Sequence, residues 1–369
     1  MHYRNRTLTS IALTLVLGLL PGAALVWYID PFQIYHRPRV EGMAFSMQQR
    51  YQNAGFIHSY LQAPDSDYDS VIIGTSMSGS IFEQDVSAAM GWHHPMRLIT
   101  HGGRPVEHQT VLQAALDTGR IRHVLLEVHP MFHFLPTDSP DTEDYFPEFL
   151  YNNNPLDDGP YLFNIDILHQ AWVLWRGDVR GHDVEMEVVG RLLSQQVSDS
   201  DRAKINKPGE IAKSWQRDPY VLAPLTEQKV AALPYPQLDK FLVPVLQRYC
   251  NTDVEFVLHI ATWPTLRYLA FASVATRNVY GPRHLLQAIH SCRNIRLHAF
   301  ELESFAQDMN YFADVQHPAN ETMVHIINRM ARKQNVLTLE NVSTYEAGLI
   351  QLLNTYNPHT SYPAPMVFE

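Results

Sequence analysis

The chain has 369 residues, enough at roughly 150 residues per domain for two domains or one large α/β domain with insertions. Its 28 basic and 38 acidic residues give a net charge of −10, which removes the electrostatic basis for nucleic-acid binding and any general attraction to anionic lipid. Two cysteines exclude a disulfide-framework miniprotein and a four-cysteine zinc module.

From Leu8 to Ile29 no side chain is charged, and at about 1.5 Å per helical residue such a stretch crosses a hydrocarbon core of about 30 Å. Trp27 and Tyr28 sit where interfacial aromatic anchors are expected, and membrane helices tolerate a pair such as Pro21-Gly22. Residues 1–30 therefore read as a transmembrane anchor. A cleaved secretory signal ending near Ala23-Ala24 is the rival reading, and a buried core helix is the third. The first two both export the remainder of the chain. Arg4 and Arg6 before the run and Arg37 and Arg39 after it nearly tie the positive-inside count, and the short leading tail favours an amino terminus inside.

A connecting segment over 31–64 leads to strands alternating with helical patterns. Asp69–Gly74 is a β-branched run ending on glycine, Met96–Thr100 is closed by Gly102-Gly103, and His123–Val128 is stopped by Pro130. After an interruption come Val254–Ile260 and Ile295–Phe300, preceded by helical patterns at about Gln237–Tyr249 and Pro282–Ser291. This rhythm predicts an α/β domain over 65–345, built on a doubly wound parallel sheet of about five strands. Between about 131 and 231 the rhythm fails, and aromatics such as Trp172, Trp175 and Trp215 enter. That insertion suits a lid or substrate wall, or else a satellite helical cluster; its tryptophans suit sugar stacking if exposed and packing if buried. Residues 346–369 close the chain as a carboxy-terminal arm.

In an open parallel sheet, ligands gather beyond the carboxyl ends of the strands. The first strand delivers Ser76 there, the second Gly102 and Gly103, and the third Glu127 and His129, while Asp314 and His317 follow the fifth. A serine hydroxyl becomes nucleophilic when a histidine accepts its proton, and a carboxylate must hold that histidine in the right tautomer. Ser76, His317 and Asp314 can fill those roles, with backbone N–H groups of Ser76 and of Gly102 or Gly103 as the oxyanion hole. Each residue also has a plainer use: Ser76 and Asp314 as helix caps, and His317 as an exposed side chain.

Gly74-Thr75-Ser76, the Gly102-Gly103 pair and Asp314-Val315-Gln316-His317, in that order, resemble the SGNH or GDSL-like hydrolase superfamily. Threonine stands where that family's first block has aspartate, and Glu127 and His129 stand where its third block has an oxyanion-binding asparagine. The resemblance covers about Asp69 to Lys333. It is closest to the membrane-anchored, exported branch, which includes alginate O-acetyltransferase-like proteins and the protein that helps D-alanylate teichoic acids. It implies a protein held in a bacterial inner membrane by its amino-terminal helix, with the catalytic domain in the periplasm or outside the cell. It further implies acyl transfer or ester hydrolysis on a cell-envelope glycan or an acylated small molecule, with a membrane-bound acyl-donor partner and no cofactor. The alternative is a catalytically inactive scaffold or glycan-binding protein on the same fold.

Glu127, His129 and His133, joined by His101 and His108, form the best candidate metal cluster, but no His-Glu-x-x-His motif occurs and no metal is assigned. His93-His94 reads as a solvated loop. Cys250 and Cys292 each precede a strand. They would pair if those strands are neighbours, the alternative being two separately buried thiols.

Overall fold

The computed structural model describes residues 18–37, 49–136, 146–176, 221–270, 272–314 and 316–357. In chain order the helices begin with α1 (residues 18–29), α2 (Gln49–Phe56), α3 (Glu83–Met90), α4 (Pro105–Asp117), α5 (Pro130–His133), α6 (Gly159–Leu162) and α7 (Ile165–Trp175). They continue with α8 (Glu227–Ala231), α9 (Val243–Arg248), α10 (Thr265–Ala270), α11 (Ala272–Ile289), α12 (Asn320–Ala331) and α13 (Val342–Thr355). The strands are β1 (Ser70–Gly74), β2 (Pro95–Ile99), β3 (His123–Val128), β4 (Glu255–Ile260), β5 (Ile295–His298) and β6 (Val336–Leu337). The chain divides into two compact units, one of Met1–Ser66 with Phe146–Glu187, the other of Asp67–Tyr145 with Val188–Glu369.

The second unit is α/β. Its sheet has the order β2-β1-β3-β4-β5-β6, with β1 to β5 parallel and β6 antiparallel to β5. Val71-Ile72-Ile73, Val124-Leu125-Leu126 and Phe256-Val257-Leu258 are buried on both faces, which is why they read as continuous apolar runs rather than as alternation. The sixth strand corrects the expected five: only Val336 and Leu337 pair, too few residues for any periodicity to show. From β1 the chain passes to β2 on one side and then returns to β3 on the other. A crevice therefore opens beyond the ends of β1 and β3.

Ile72, Leu125 and Val257 of the sheet share one core cluster with Phe300, Phe305 and Phe312, which draws the segment after β5 onto the sheet. At the other edge Cys250 and Cys292 form a disulfide. β4 and β5 are neighbours, so the turns that lead into them lie side by side. Helix α13 runs across the expected boundary at 346. Tyr345, Leu349, Ile350 and Leu353 are buried, so this stretch is core rather than an arm, and residues beyond 357 lie outside the described residues.

The first unit redraws the expected insertion. Residues 146–176 group with α1 and the connecting segment, while α8 belongs to the α/β unit, where Glu227 pairs with Arg283. Where α1 ends, the buried Asp30 carboxylate accepts the N–H groups of Ile34 (2.9 Å), Tyr35 (2.6 Å) and His36 (3.0 Å) and the hydroxyl of Tyr161 (2.8 Å). A Cβ on Gly55 of α2 would lie 1.8 Å from the Phe32 carbonyl oxygen, so only glycine admits this approach. Residues 8–17 of the uncharged run lie outside the described residues, and among the described residues no helix is long and apolar enough to cross a membrane.

Candidate active site

The chain leaves β1 at Gly74, where a Cβ would stand 2.7 Å from both Glu127 Oε2 and Ser78 Oγ. Glu127, fully buried near the end of β3, organises the turn that follows. Its Oε2 accepts the Thr75 N–H (3.0 Å) and the Ser78 hydroxyl (2.5 Å), and its Oε1 accepts the Thr75 hydroxyl (2.6 Å). Burial raises the Glu127 carboxyl above its usual range, against the opposing pull of the Ser78 and Thr75 hydrogen bonds. The Thr75 hydroxyl in turn accepts the Met77 N–H and so caps the short 3-10 turn Ser76–Ser78. That leaves the Ser76 side chain out of the capping role. The buried Arg97 supports the turn from β2 by donating to the Gly79 carbonyl at 2.5 Å.

His317 comes from a loop closed on itself by the bridge between Phe312 and Pro318 and by the Ala313 N–H donating to the His317 carbonyl at 2.7 Å. Asp314 Oδ1 accepts the backbone N–H groups of Gln316 and His317, both at 2.8 Å, and its Oδ2 lies 2.6 Å from His317 Nδ1. Burial alone would raise the Asp314 carboxyl. The His317 ring hydrogen bond and charge, followed by the two backbone N–H groups, outweigh it and hold this acid below its usual range. An ionised carboxylate only accepts, so the His317 proton sits on Nδ1 and Nε2 keeps its lone pair. Ser76 Oγ lies 2.9 Å from that Nε2. The structure thus brings together Ser76, His317 and Asp314 from opposite ends of the α/β unit, and the Ser80 hydroxyl spans the same two segments by reaching the Pro318 carbonyl at 3.4 Å.

The second strand's glycines separate. Gly103 donates its N–H to the Thr100 carbonyl at 2.8 Å, which corrects its expected place as an oxyanion donor. Its tight packing serves the turn, since a Cβ there would stand 2.5 Å from His108 Nε2. Gly102 has φ +64, and among the described residues neither its N–H nor that of Ser76 has an acceptor.

His129 follows Glu127 at the exit of β3 and is buried. Its Nδ1 accepts the Met131 N–H at 3.2 Å, which leaves the ring proton on Nε2. Its ring stacks on Phe132 (centroids 4.4 Å apart) and meets Trp263 edge-on (5.5 Å). Burial, then the charges of His133, His108, Arg267 and His317, push its pKa well below the ordinary histidine value. The ring is therefore a fixed neutral N–H donor, and among the described residues Nε2 has no acceptor. The sequence places Glu127 and His129 where the third block's asparagine is expected, and groups them with His133 as a candidate metal cluster. Instead, Glu127 holds the serine turn and His133 Nδ1 accepts the His129 N–H at 2.9 Å.

A different cluster, Asp67, His93 and His94, brings ligand atoms close together on the exposed surface. Its two imidazoles stack with centroids 4.1 Å apart and planes at 19°, so their lone pairs point along nearly parallel planes rather than at one ion. No protein-family model, curated protein or solved structure matches the chain.

Proposed function

We propose that the chain is a serine-dependent acyltransferase or esterase of the SGNH type, acting on an envelope glycan outside the cytoplasm. The observation that carries this reading is the hydrogen-bonded relay in which Ser76 Oγ lies 2.9 Å from His317 Nε2 while His317 Nδ1 lies 2.6 Å from Asp314. In the first step Ser76 Oγ bonds to the acyl carbonyl carbon as its proton passes to His317 Nε2. The tetrahedral oxyanion accepts hydrogen bonds from the backbone N–H groups of Ser76 and Gly102 and from His129 Nε2–H, which takes the place of the absent asparagine. Collapse breaks the ester bond, and the leaving alkoxide takes the proton from His317. A glycan hydroxyl or water then attacks the acyl-serine by the same steps in reverse. The apolar run Leu8–Ile29 supports a membrane-anchored location, and the transfer reading adds a membrane-bound acyl-donor partner.

One observation favours the non-catalytic alternative of a scaffold or glycan-binding protein: Gln316 Nε2 lies 3.1 Å from His317 Nε2, a second donor on the lone pair the serine needs. A single assay decides between them. The full chain incubated with 4-nitrophenyl acetate is expected to release nitrophenolate faster than buffer, with the excess abolished in Ser76→Ala. His129→Ala is expected to lower kcat by roughly 10²–10³ with KM little changed, and His129→Asn to restore part of it. Release that is the same with and without Ser76 would leave the binding reading standing.

A further inference from the structure

The first unit presents a large apolar face to the outside. Leu19, Leu20, Trp27 and Tyr28 of α1 are exposed, and so are Phe163, Ile165 (78%), Trp172 and Trp175 (55%) on and just before α7. The two helices pack closely. A Cβ on Gly22 would stand 3.2 Å from Leu168 Cδ2, and beside this contact runs an open groove between Pro21, Gly22 and Leu25 on α1 and Ile165, Leu168, His169 and Trp172 on α7. Small residues in apolar helices commonly permit such close approach. The first turn of α7 is satisfied by its own cap, since Asn164 Oδ1 accepts the N–H groups of Asp166 and Ile167. The exposed apolar surface is therefore carried by a formed helix.

We infer that α7 lies in the membrane interface beside α1, with lipid acyl chains filling the groove and covering Ile165, Leu168 and Trp172. The inference rests on Leu8–Ile29 being the membrane anchor, and the position along that run supplies its depth. Leu25 and Pro21 precede Ile29 by four and eight residues, or roughly 6 and 12 Å at about 1.5 Å per residue. With Ile29 at the water boundary, the groove that these residues line with α7 lies roughly 6–12 Å deep, overlapping the roughly 5–10 Å at which interfacial helices bury their apolar face. A helix pressed against a membrane span at that level has lipid as its surroundings, which is the reason to choose a bilayer over a second protein. Trp172 and Trp175, with ring centroids 5.0 Å apart, then form an interfacial pair like Trp27 and Tyr28. The exposed Arg176 directly after α7 can reach headgroups while its stem lies along the apolar surface. The aromatic insertion thereby gains a location role in place of a lid.

The test places a nitroxide at one site at a time, through Ile165→Cys, Trp172→Cys, Asp166→Cys and Leu20→Cys, in the full chain reconstituted in phosphatidylcholine–phosphatidylglycerol vesicles. Collisions with dissolved oxygen and with a water-soluble nickel chelate are compared. The labels at 165 and 172 are expected to follow the label at 20, favouring oxygen several-fold more than the label at 166. If 165 and 172 report water while 20 reports lipid, the inference fails and the anchor stands. If 20 also reports water, the anchor fails and the inference with it. Protection of 172 by soluble glycan but not by vesicles would make the tryptophans a sugar platform and also overturn it. A second measurement needs no cysteine: brominated acyl chains are expected to quench tryptophan fluorescence of the unsubstituted chain and to quench Trp172→Phe/Trp175→Phe less. Equal quenching would contradict the inference.

Discussion

The two units dispose of their polar and apolar groups in opposite ways. Around Ser76 the α/β unit turns polar groups inward: Glu127 is fully buried and takes three hydrogen bonds from Thr75 and Ser78, and His129 is buried with its tautomer fixed by Met131. The unit built on α1 turns large apolar groups outward at Trp172, Trp175 and Ile165. A buried polar group costs free energy unless satisfied, and an exposed apolar patch costs free energy unless covered. On the readings proposed above, a reacting substrate answers the departure in the α/β unit and an apolar phase answers the one in the unit built on α1. The net charge of −10 describes the whole chain and distinguishes neither.

Perturbing each side separately sharpens that contrast. The largest effect is expected at the relay itself. Asp314→Asn would leave the ring near Ser76 but in the wrong tautomer, lowering the acylation rate by roughly 10³–10⁴ with little change in melting temperature; a rate within a few-fold of the unsubstituted chain would detach Asp314 from the chemistry. Next, Cys250→Ser/Cys292→Ser opens a link spanning 42 residues and should cost about 2–4 kcal/mol in denaturant unfolding, with reactivity of Ser76 retained in the folded protein.

Stability should also depend on pH through Glu301, a buried acid raised to about 7 by burial against hydrogen bonds from its own backbone and from Tyr268 and Tyr345. Its folded pKa lies above the ordinary value, so the folded state holds the proton more tightly. The stability this contributes is complete below about 4.5 and is lost as pH rises through about 7. At about 1.36 kcal/mol per unit, the shift of 7 − 4.5 units amounts to about 3 kcal/mol. Melting curves at pH 5 and pH 8 should therefore diverge more for the unsubstituted chain than for Glu301→Gln, and equal divergence would remove Glu301 from the account. The smallest effect falls in the other unit. Asp30→Ala strips an acceptor from the N–H groups of Ile34, Tyr35 and His36 and should cost about 1–3 kcal/mol, read as faster hydrogen exchange over 34–36 with acylation at Ser76 unchanged.

The sheet was legible where burial on both faces writes a continuous apolar run, as in Val71-Ile72-Ile73, and illegible at β6, whose two paired residues carry no pattern. Ser76, Asp314 and His317 could be named from residue type and order, because a serine after a glycine turn and an Asp-x-x-His segment are local signals. Glu127 could be noticed as a charge inside an apolar strand. Its partner could not, because only the parallel register that sets Ile73 beside Leu126 puts its carboxylate under the serine turn. The tautomer of His129 depends on the Met131 N–H, a backbone contact without a residue signature. The insertion was misdivided for a related reason. The sequence leaves the insertion's tryptophans open between exposure and packing, and the exposure of Trp172 beside α1 follows from packing that residue order does not encode.

The central claim is that Ser76 is a nucleophile activated by His317. Its most direct test is covalent: the folded chain is treated with a fluorophosphonate and the adduct is located by peptide mass spectrometry. The account predicts a single adduct on Ser76, lost in His317→Ala and strongly slowed in Asp314→Asn, while the disulfide and the melting transition are unchanged. An unlabelled Ser76 in folded protein, or labelling that proceeds equally without His317, would contradict it.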